Sequence, residues 1–425
     1  MGHFGVLCER GGDALLLRVH ALMGGELPME YPVPKDELAE FLKAGTFKGL
    51  VVTGAYKKAV LPYCHRLDPV AERLQSVDAI TVDASGRLMG HNTAYYGFQQ
   101  MVKRANVGVR GAKVLVLGTG GAAVAAAAVA EDMGAKSVVH VSRHSTVDYT
   151  SVYALHNDGE IIINATPVGC YPNNGGMPVR LSGFRRCRCV LDTVYDPLRT
   201  MLLLEAERRS IPCEGGLTML AARAKMAQEL FSGQEIPESR IGEACTQLME
   251  EVCNIVLIGM PGSGKSFFGA LIAKAFGRTL INMDDHIEEE QGMPPAQIIL
   301  ERGEPAFRDL EVEAARALGC KHGLVLSTGG GTVLRRESMD ALRQNGCVFF
   351  VDRPLSELAT DGRPLSQGND ALQRLYDARI GLYTGYADVN IMNTRGMDAE
   401  HIAQTVLREY EKVCAVASLP MWEQE

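Results

Sequence analysis

Apolar and polar positions along this chain fall into blocks that predict parallel-sheet units. Near residue 255 four consecutive apolar residues, Ile255-Val256-Leu257-Ile258, run straight into Gly259-Met260-Pro261-Gly262-Ser263-Gly264-Lys265-Ser266. A short apolar run ended by glycine reads as a buried strand, and the run Phe267 to Phe276 after it reads as a helix. Further back, Lys113 to Leu117 has the same strand pattern. It is followed by Gly118-Thr119-Gly120-Gly121, the alanine-rich run Ala122 to Ala130, and a second strand pattern, Lys136 to Val141. That is a βαβ arrangement with a glycine turn at the end of its first strand. Before residue 100 the apolar runs are shorter, Gly49 to Thr53 and Ala79 to Val82, and polar turns separate them, as in a small α/β unit. The polar segment Ser232 to Ser239 and a helix-like stretch up to Val252 lead into the last block. No low-complexity linker intervenes, and the join is expected near residues 240–252.

The glycine-rich loop after Ile258 carries specific chemistry. In G-x-x-x-x-G-K-S the glycines let backbone N–H groups turn inward around phosphate oxygens, which points to Gly262, Ser263 and Gly264 as the cradle. Lys265 brings positive charge to the β- and γ-phosphates, and the Ser266 hydroxyl is a ligand for Mg2+. Strand, loop and helix stand in the order a nucleotide-binding α/β fold requires, so ATP or GTP is expected in the C-terminal part.

Length and composition narrow the rest. A chain of 425 residues suggests two or three domains, and 46% apolar with 22% charged residues suits packed globular units. The net charge of −8 argues against a protein that binds nucleic acid by phosphate neutralisation, yet leaves room for small anionic ligands in a locally positive pocket. No segment approaches the ~18 continuous apolar residues of a membrane span, and no basic region leads into an apolar core at the N-terminus. A cytoplasmic protein is expected. The eleven cysteines are scattered, with Cys187 and Cys189 the closest pair, so reduced thiols are expected rather than a metal site or a disulfide.

From residue 253 to about 415 the order of motifs resembles shikimate kinase. The acidic segment Asp284-Asp285-His286-Ile287-Glu288, the signature Gly303-Glu304-Pro305-Ala306-Phe307-Arg308-Asp309-Leu310-Glu311, and Ser327-Thr328-Gly329-Gly330-Gly331 all match. Arg363-Pro364-Leu365 matches the lid and Arg379-Ile380-Gly381-Leu382-Tyr383 the late helix. The resemblance implies that Asp284 hydrogen-bonds shikimate hydroxyls and orients the attacking one. The residues alone also allow Asp284 to be a helix N-cap. It further implies that Arg308 and Arg379 take the substrate carboxylate, a task suited to a planar guanidinium, with Glu311 holding Arg308 in place. A surface ladder of Glu304, Arg308 and Glu311 is the alternative from spacing. Gly330 is the expected substrate contact, and Arg363 is expected to close over ATP. Two departures stand out. The lid is short and lacks its upstream arginine, and Asn282 replaces an aspartate that supports Mg2+.

Residues 1 to about 245 resemble shikimate dehydrogenase, an NADP-dependent enzyme of two domains. The landmarks are Phe47 to Lys57, Gly86 to Thr93, the turn Gly118 to Ala123, Asn164 to Gly169, Val194-Tyr195-Asp196-Pro197 and Gly215 to Leu220. Thr53 aligns with a substrate-contacting threonine and Lys57 with the catalytic lysine, although Lys57 beside Lys58 also reads as a solvated surface residue. Five polar partners of the substrate are replaced, by Ala14, Leu16, Ala79, Ala94 and Arg223, and Ala94 stands where the catalytic aspartate belongs. On the cofactor side Gly118, Gly120, Gly121 and Ala122 are retained. Arg143 stands where the family meets the 2′-phosphate of NADP, although the motif around it reads Ser142-Arg143-His144.

The resemblances together imply an α/β chain of three parts. A substrate domain occupies residues 1–100, and a Rossmann-like NADP-binding domain occupies 101–245, with a last helix that returns to the first domain. A P-loop kinase domain with a parallel sheet follows over 253–415. The implied reaction is ATP-dependent phosphorylation of the shikimate 3-hydroxyl, in chorismate and aromatic amino acid biosynthesis, with Mg2+ as cofactor. The dehydrogenase-like region is expected to have lost ordinary turnover. Still open are a bifunctional enzyme, a non-catalytic module that scaffolds or senses NADP, and a kinase for another small metabolite.

Overall fold

The short runs of the first hundred residues form a mixed sheet of β1 (His3–Cys8), β2 (Met29–Pro32), β3 (Phe47–Val52), β4 (Arg66–Leu67), β5 (Ala79–Val82) and β6 (Leu88–His91), in the order β2-β1-β3-β5-β6-β4. Strands β1, β2 and β3 run parallel, while β5 is antiparallel to both β3 and β6. Leu7, Leu50, Val52 and Ile80 are fully buried and pack with Tyr56 in one core. The computed structural model describes residues 3–24, 27–54, 56–358, 369–394, 396 and 398–418.

The second sheet contains β7 (Lys113–Leu117), β8 (Ser137–Val141), β9 (Ile161–Asn164), β10 (Cys189–Asp192) and β11 (Cys213–Glu214), all parallel, in the order β11-β10-β9-β7-β8. Period-two alternation sends Val114 and Val116 to one face and Leu115 and Leu117 to the other, and both faces are buried. The alanine run covers the first face as helix Gly121–Asp132, and small side chains let it lie close to the sheet. Helix Leu217–Ser232 packs on Ala14–Gly24 and Ala94–Arg104, with Phe231 stacked on Phe4 at 5.0 Å. Both sheets belong to one compact unit, whose main segment runs to Leu248.

The second unit begins at Met249. Its sheet is wholly parallel: β12 (Asn254–Ile258), β13 (Leu280–Asn282), β14 (Val325–Ser327), β15 (Gly346–Asp352) and β16 (Val389–Met392), in the order β13-β14-β12-β15-β16. Ile255 to Ile258 are fully buried, as the unbroken apolar run required. Strand β12 sits between β14 and β15, so chain order reverses beside it, and ligands gather at such switch points outside the carboxyl ends of the strands. Helix Lys265–Phe276 starts two residues ahead of the pattern-based estimate, directly at the loop lysine. Among the described residues no helix is long and apolar enough to cross a membrane, and no His, Cys, Asp or Glu cluster could hold a metal ion. All eleven cysteines are free, and Cys320 alone is exposed.

Candidate active site

Three loops at the carboxyl ends of β12, β13 and β14 meet around a cavity of about 960 Å3, the space of a nucleotide-sized or larger ligand. The loop after β12 brings Gly262, Gly264, Lys265 and Ser266 to its wall. Gly264 has φ +97°, a conformation that favours glycine, and a Cβ there would press against Phe268 and Asn393. The Lys265 ammonium donates to the carbonyls of Gly259 and Met260 at 3.0 Å each, so its own loop holds it at the helix N-terminus. Ser263 is buried, and its carbonyl accepts from Asn393 Nδ2 at 2.8 Å. The Ser266 hydroxyl faces Ser327 at 3.1 Å.

The opposite wall carries a dense ionic arrangement. Arg308 is 8% exposed on helix Glu304–Gly319, and its two terminal nitrogens donate to Glu311 at 2.5 Å and Glu304 at 2.6 Å. Glu311 is 1% exposed and also accepts from the Thr332 hydroxyl at 2.7 Å. This is a buried clamp, and the surface ladder that spacing allowed is not what forms. Arg308 Nε is buried with no hydrogen-bond partner among the described residues. Arg379, 5% exposed, donates to the Gly330 carbonyl at 3.1 Å, and the Tyr383 hydroxyl donates to the same oxygen at 2.5 Å. Burial pushes the Tyr383 phenol up to about 12, so it serves as a donor.

The glycine triplet is explained by close approach. A Cβ at Gly329 would stand 2.6 Å from Glu311 Oε1 and 2.9 Å from Asp284 Oδ1; at Gly330 it would meet Pro261, and at Gly331 the Arg308 guanidinium. Asp284 lies in the first turn of helix Met283–Gln291, whose N-cap is Asn282, with Asn282 Oδ1 accepting from Asp284 N at 3.2 Å. Its side chain is therefore not the cap and lines the cavity. Burial raises the Asp284 carboxyl above the usual carboxylate range, Glu311 adds to the rise, and Lys265 opposes it. Arg363 lies outside the described residues.

In the first unit the cofactor-side residues fall as follows. Gly120 precedes helix Gly121–Asp132, and Gly118 adopts φ +112° where a Cβ would meet Ala165 O at 2.9 Å. Arg143 is exposed just past β8, in a turn where Ser142 N donates to Ser145 Oγ at 2.8 Å. On the substrate side the Thr53 hydroxyl donates to Leu7 O at 2.9 Å. Lys57 is 8% exposed, so the solvated reading does not hold. It lies against the dinucleotide turn, since a Cβ at Gly121 would be 3.0 Å from Lys57 Cδ. Its ammonium stands 3.6 Å from Asp78 Oδ2, and Arg223 Nη2 stands 3.9 Å from the same oxygen. Asp78 is fully buried just before β5 and accepts from Thr93 N at 2.6 Å, Thr93 Oγ1 at 2.8 Å and Ala94 N at 3.1 Å. A carboxylate is thus present beside position 94, supplied by the strand side rather than by the helix.

Residues 261–411 match the shikimate kinase family. Shikimate kinase of Clostridium beijerinckii is 37% identical over 164 residues, covering 37% of this chain and 96% of that protein. Shikimate dehydrogenase (NADP(+)) of Clostridium perfringens is 30% identical over 265 residues, covering 58% of this chain and 97% of that protein. The chain is a fusion of a shikimate dehydrogenase-like region with a shikimate kinase domain. The crystal structure of shikimate dehydrogenase 1 from Peptoclostridium difficile superposes with a TM-score of 0.54 at 28% identity, covering 58% of this chain and 98% of that one.

Residues that support the loops of the kinase domain's pocket are less legible in the sequence. Asn393 and Thr332 brace the loops from positions that no local pattern marks, and Tyr383, quoted only as part of the late-helix motif, turns out to hold the Gly330 carbonyl. Asp78 of the dehydrogenase-like region is less legible as well. Its signal was a lone aspartate next to an apolar strand, a place where an unpaired charge is costly and a partner should be sought.

Proposed function

We propose that the kinase domain transfers the γ-phosphoryl group of ATP to the 3-hydroxyl of shikimate in this cavity. In this reading Gly262, Ser263 and Gly264 hold the phosphates through their backbone N–H groups, and Lys265 neutralises charge on the transferring group. The Ser266 hydroxyl, at the first turn of its helix, fits an oxygen-preferring divalent cation and would hold Mg2+, which supplies charge neutralisation at the phosphates when bound. Arg308 and Arg379 take the substrate carboxylate, and the unpartnered Arg308 Nε offers it a further donor. Gly330 contacts the substrate, while Glu311 fixes Arg308 and leaves its free face toward the cavity. Asp284 accepts the proton of the attacking hydroxyl as the O–P bond forms, and the bond to ADP breaks in the same displacement. Arg363 closes over ATP from the lid. The three parts are assigned as residues 1–100, 101–245 and 253–415.

One observation carries this reading: Asp284, Arg308 and Arg379 line the same cavity as the phosphate loop. For the dehydrogenase-like region, Gly118, Gly120, Gly121, Ala122 and Arg143 fit a dinucleotide phosphate. Thr53 and Lys57 remain from a substrate site that no longer turns over shikimate. The full chain should convert ATP and shikimate to ADP and shikimate 3-phosphate in Mg2+ buffer, and should not oxidise NADPH with 3-dehydroshikimate. Failure of the first assay with a folded protein would overturn the kinase assignment, and a robust second signal would overturn the loss of dehydrogenase function.

A further inference from the structure

A second cavity, of about 450 Å3, lies in the first unit, where the start of β1 meets the last turns of helices Ala14–Gly24 and Leu217–Ser232. It is apart from the substrate side of that unit, because none of Thr53, Lys57, Asp78 and Arg223 lines it. Glycines let its walls take their places. A Cβ at Gly24 would stand 1.7 Å from Gln228 Nε2, and one at Gly49 would stand 2.7 Å from Phe231 Cδ1. Phe4 and Phe231, stacked with 16° between their planes, both line the cavity. Leu27 and Met29 line it too, and they are 67% and 47% exposed. Apolar side chains left open to water around a concave site are stabilised when a ligand covers them.

The polar groups of this cavity select the ligand. Among the described residues neither lysine nor arginine lines it, and Glu235 is its one carboxylate. An acid or a phosphate ester therefore finds no permanent counter-charge there. His20 is 4% exposed, lines the cavity and has no hydrogen-bond partner among the described residues. Burial, reinforced by Arg223, pushes its imidazole down to about 3, so the ring is neutral, with one nitrogen a donor and the other an acceptor. A buried polar group without a partner is costly, and a ligand that supplies one recovers that cost. A hydroxyl suits either ring nitrogen because it both donates and accepts, and an aromatic N–H suits the acceptor. A flat aromatic body suits the phenylalanine pair and the aliphatic walls. We infer that this cavity binds an uncharged aromatic molecule bearing a hydroxyl or a ring N–H, which hydrogen-bonds His20 and packs against Phe4 and Phe231. Such a ligand differs in charge from every substrate proposed above.

Phenol and indole are the probes, with benzoate as a charged counterpart of similar size. Ligand-observed NMR titration of the full chain should give saturable one-site binding of phenol and indole, with benzoate weaker by ~10-fold or more. His20→Leu removes the hydrogen-bonding ring and should weaken phenol by ~10-fold. A phenol carrying a diazirine, photolysed on the wild-type chain and mapped by mass spectrometry, keeps the test independent of how that variant folds. Labels should fall on Met23, Met29 or Phe231, and phenol at ten times its Kd should reduce them by ~10-fold. Absence of saturable binding by both probes, or benzoate binding as tightly as phenol, would overturn the inference. So would unchanged binding in a folded His20→Leu protein, or labels confined to the cavity of the kinase domain.

Discussion

Replacing Gly331 by alanine tests the substrate side of the kinase pocket with a single methyl group. Gly331 has φ −104° and ψ −4°, which alanine adopts without strain, so any effect comes from the Cβ. That atom would stand 2.3 Å from Cζ, Nη1 and Nη2 of Arg308. An ordinary contact needs ~3.5 Å, so the guanidinium must retreat by roughly an ångström. It is held by Glu311 at 2.5 Å and Glu304 at 2.6 Å, and the retreat stretches both bonds toward the limit of hydrogen bonding. The buried Glu311 bond is worth about 2–3 kcal/mol. The Glu304 side chain is 43% exposed, so its bond adds at most about 1 kcal/mol. Those bonds set the cost to the fold; in affinity, the displaced guanidinium loses its charge-assisted bonds to the substrate carboxylate, and about 3 kcal/mol there corresponds to roughly two orders of magnitude. Steady-state kinetics should therefore show the KM for shikimate rising ~100-fold, with the KM for ATP within about threefold. Gly330→Ala differs, because its Cβ would meet Pro261 Cδ at 2.6 Å and press on the phosphate loop, so the KM for ATP should rise together with that for shikimate. A Gly331→Ala enzyme with a near-normal shikimate KM, or an equal rise for both substrates, would refute the placement of Arg308 at the substrate.

Other expectations follow from the same geometry. Lys265→Ala and Asp284→Ala should each lower kinase turnover by roughly two orders of magnitude or more, and near-normal turnover in a folded Asp284→Ala protein would remove its assigned role. Because burial and Glu311 raise the Asp284 carboxyl, its ionised form is the costly one, and the fold gains stability as pH falls through that raised value; Asp284→Asn should accordingly raise Tm in calorimetry while turnover collapses. Arg308→Lys and Arg379→Lys should raise the KM for shikimate far more than that for ATP, since lysine keeps the charge and loses the fork. Wild-type oxidation of shikimate by NADP+ should be absent or very weak. Ala79→Asn with Ala94→Asp should not restore it unless Asp78→Val is added, because a carboxylate at position 94 would crowd the one already bound to Ala94 N. A wild-type turnover of ~1 s⁻¹ or more would show that the substrate pocket has been misjudged.

The phosphate loop, the dinucleotide turn and the parallel sheets were legible because their chemistry is contiguous. A phosphate cradle needs successive N–H groups, and a strand buried on both faces needs an unbroken apolar run, as Ile255 to Ile258 and Val114 to Leu117 display. Arg308 and Glu311 were legible as neighbours on a helix, but their burial was not, because it depends on Thr332 and the glycine loop arriving from elsewhere. Asp78 shows the limit most clearly. The resemblance implies an aspartate at the position of Ala94, and no sequence pattern points to the Asp78 carboxylate that meets Ala94 N from the neighbouring element. Asn282 is the converse case. Its amide oxygen caps a helix, a service that an aspartate performs equally well, so the position keeps a structural duty when its charge is gone.

The distribution of thiols gives the protein an unplanned convenience. Burial pushes Cys64 and Cys187 up to about 11, and Cys189, Cys245 and Cys414 up to about 12, so these sulfurs are poor nucleophiles near neutrality. Cys320 is the exposed exception, and it sits at the C-cap of the helix that carries Arg308 and Glu311. A maleimide dye should therefore settle on that one residue without any engineered cysteine-free background. Fluorescence from the native chain could then follow events in the kinase domain, with a label anchored to the helix that carries the proposed carboxylate-binding arginine.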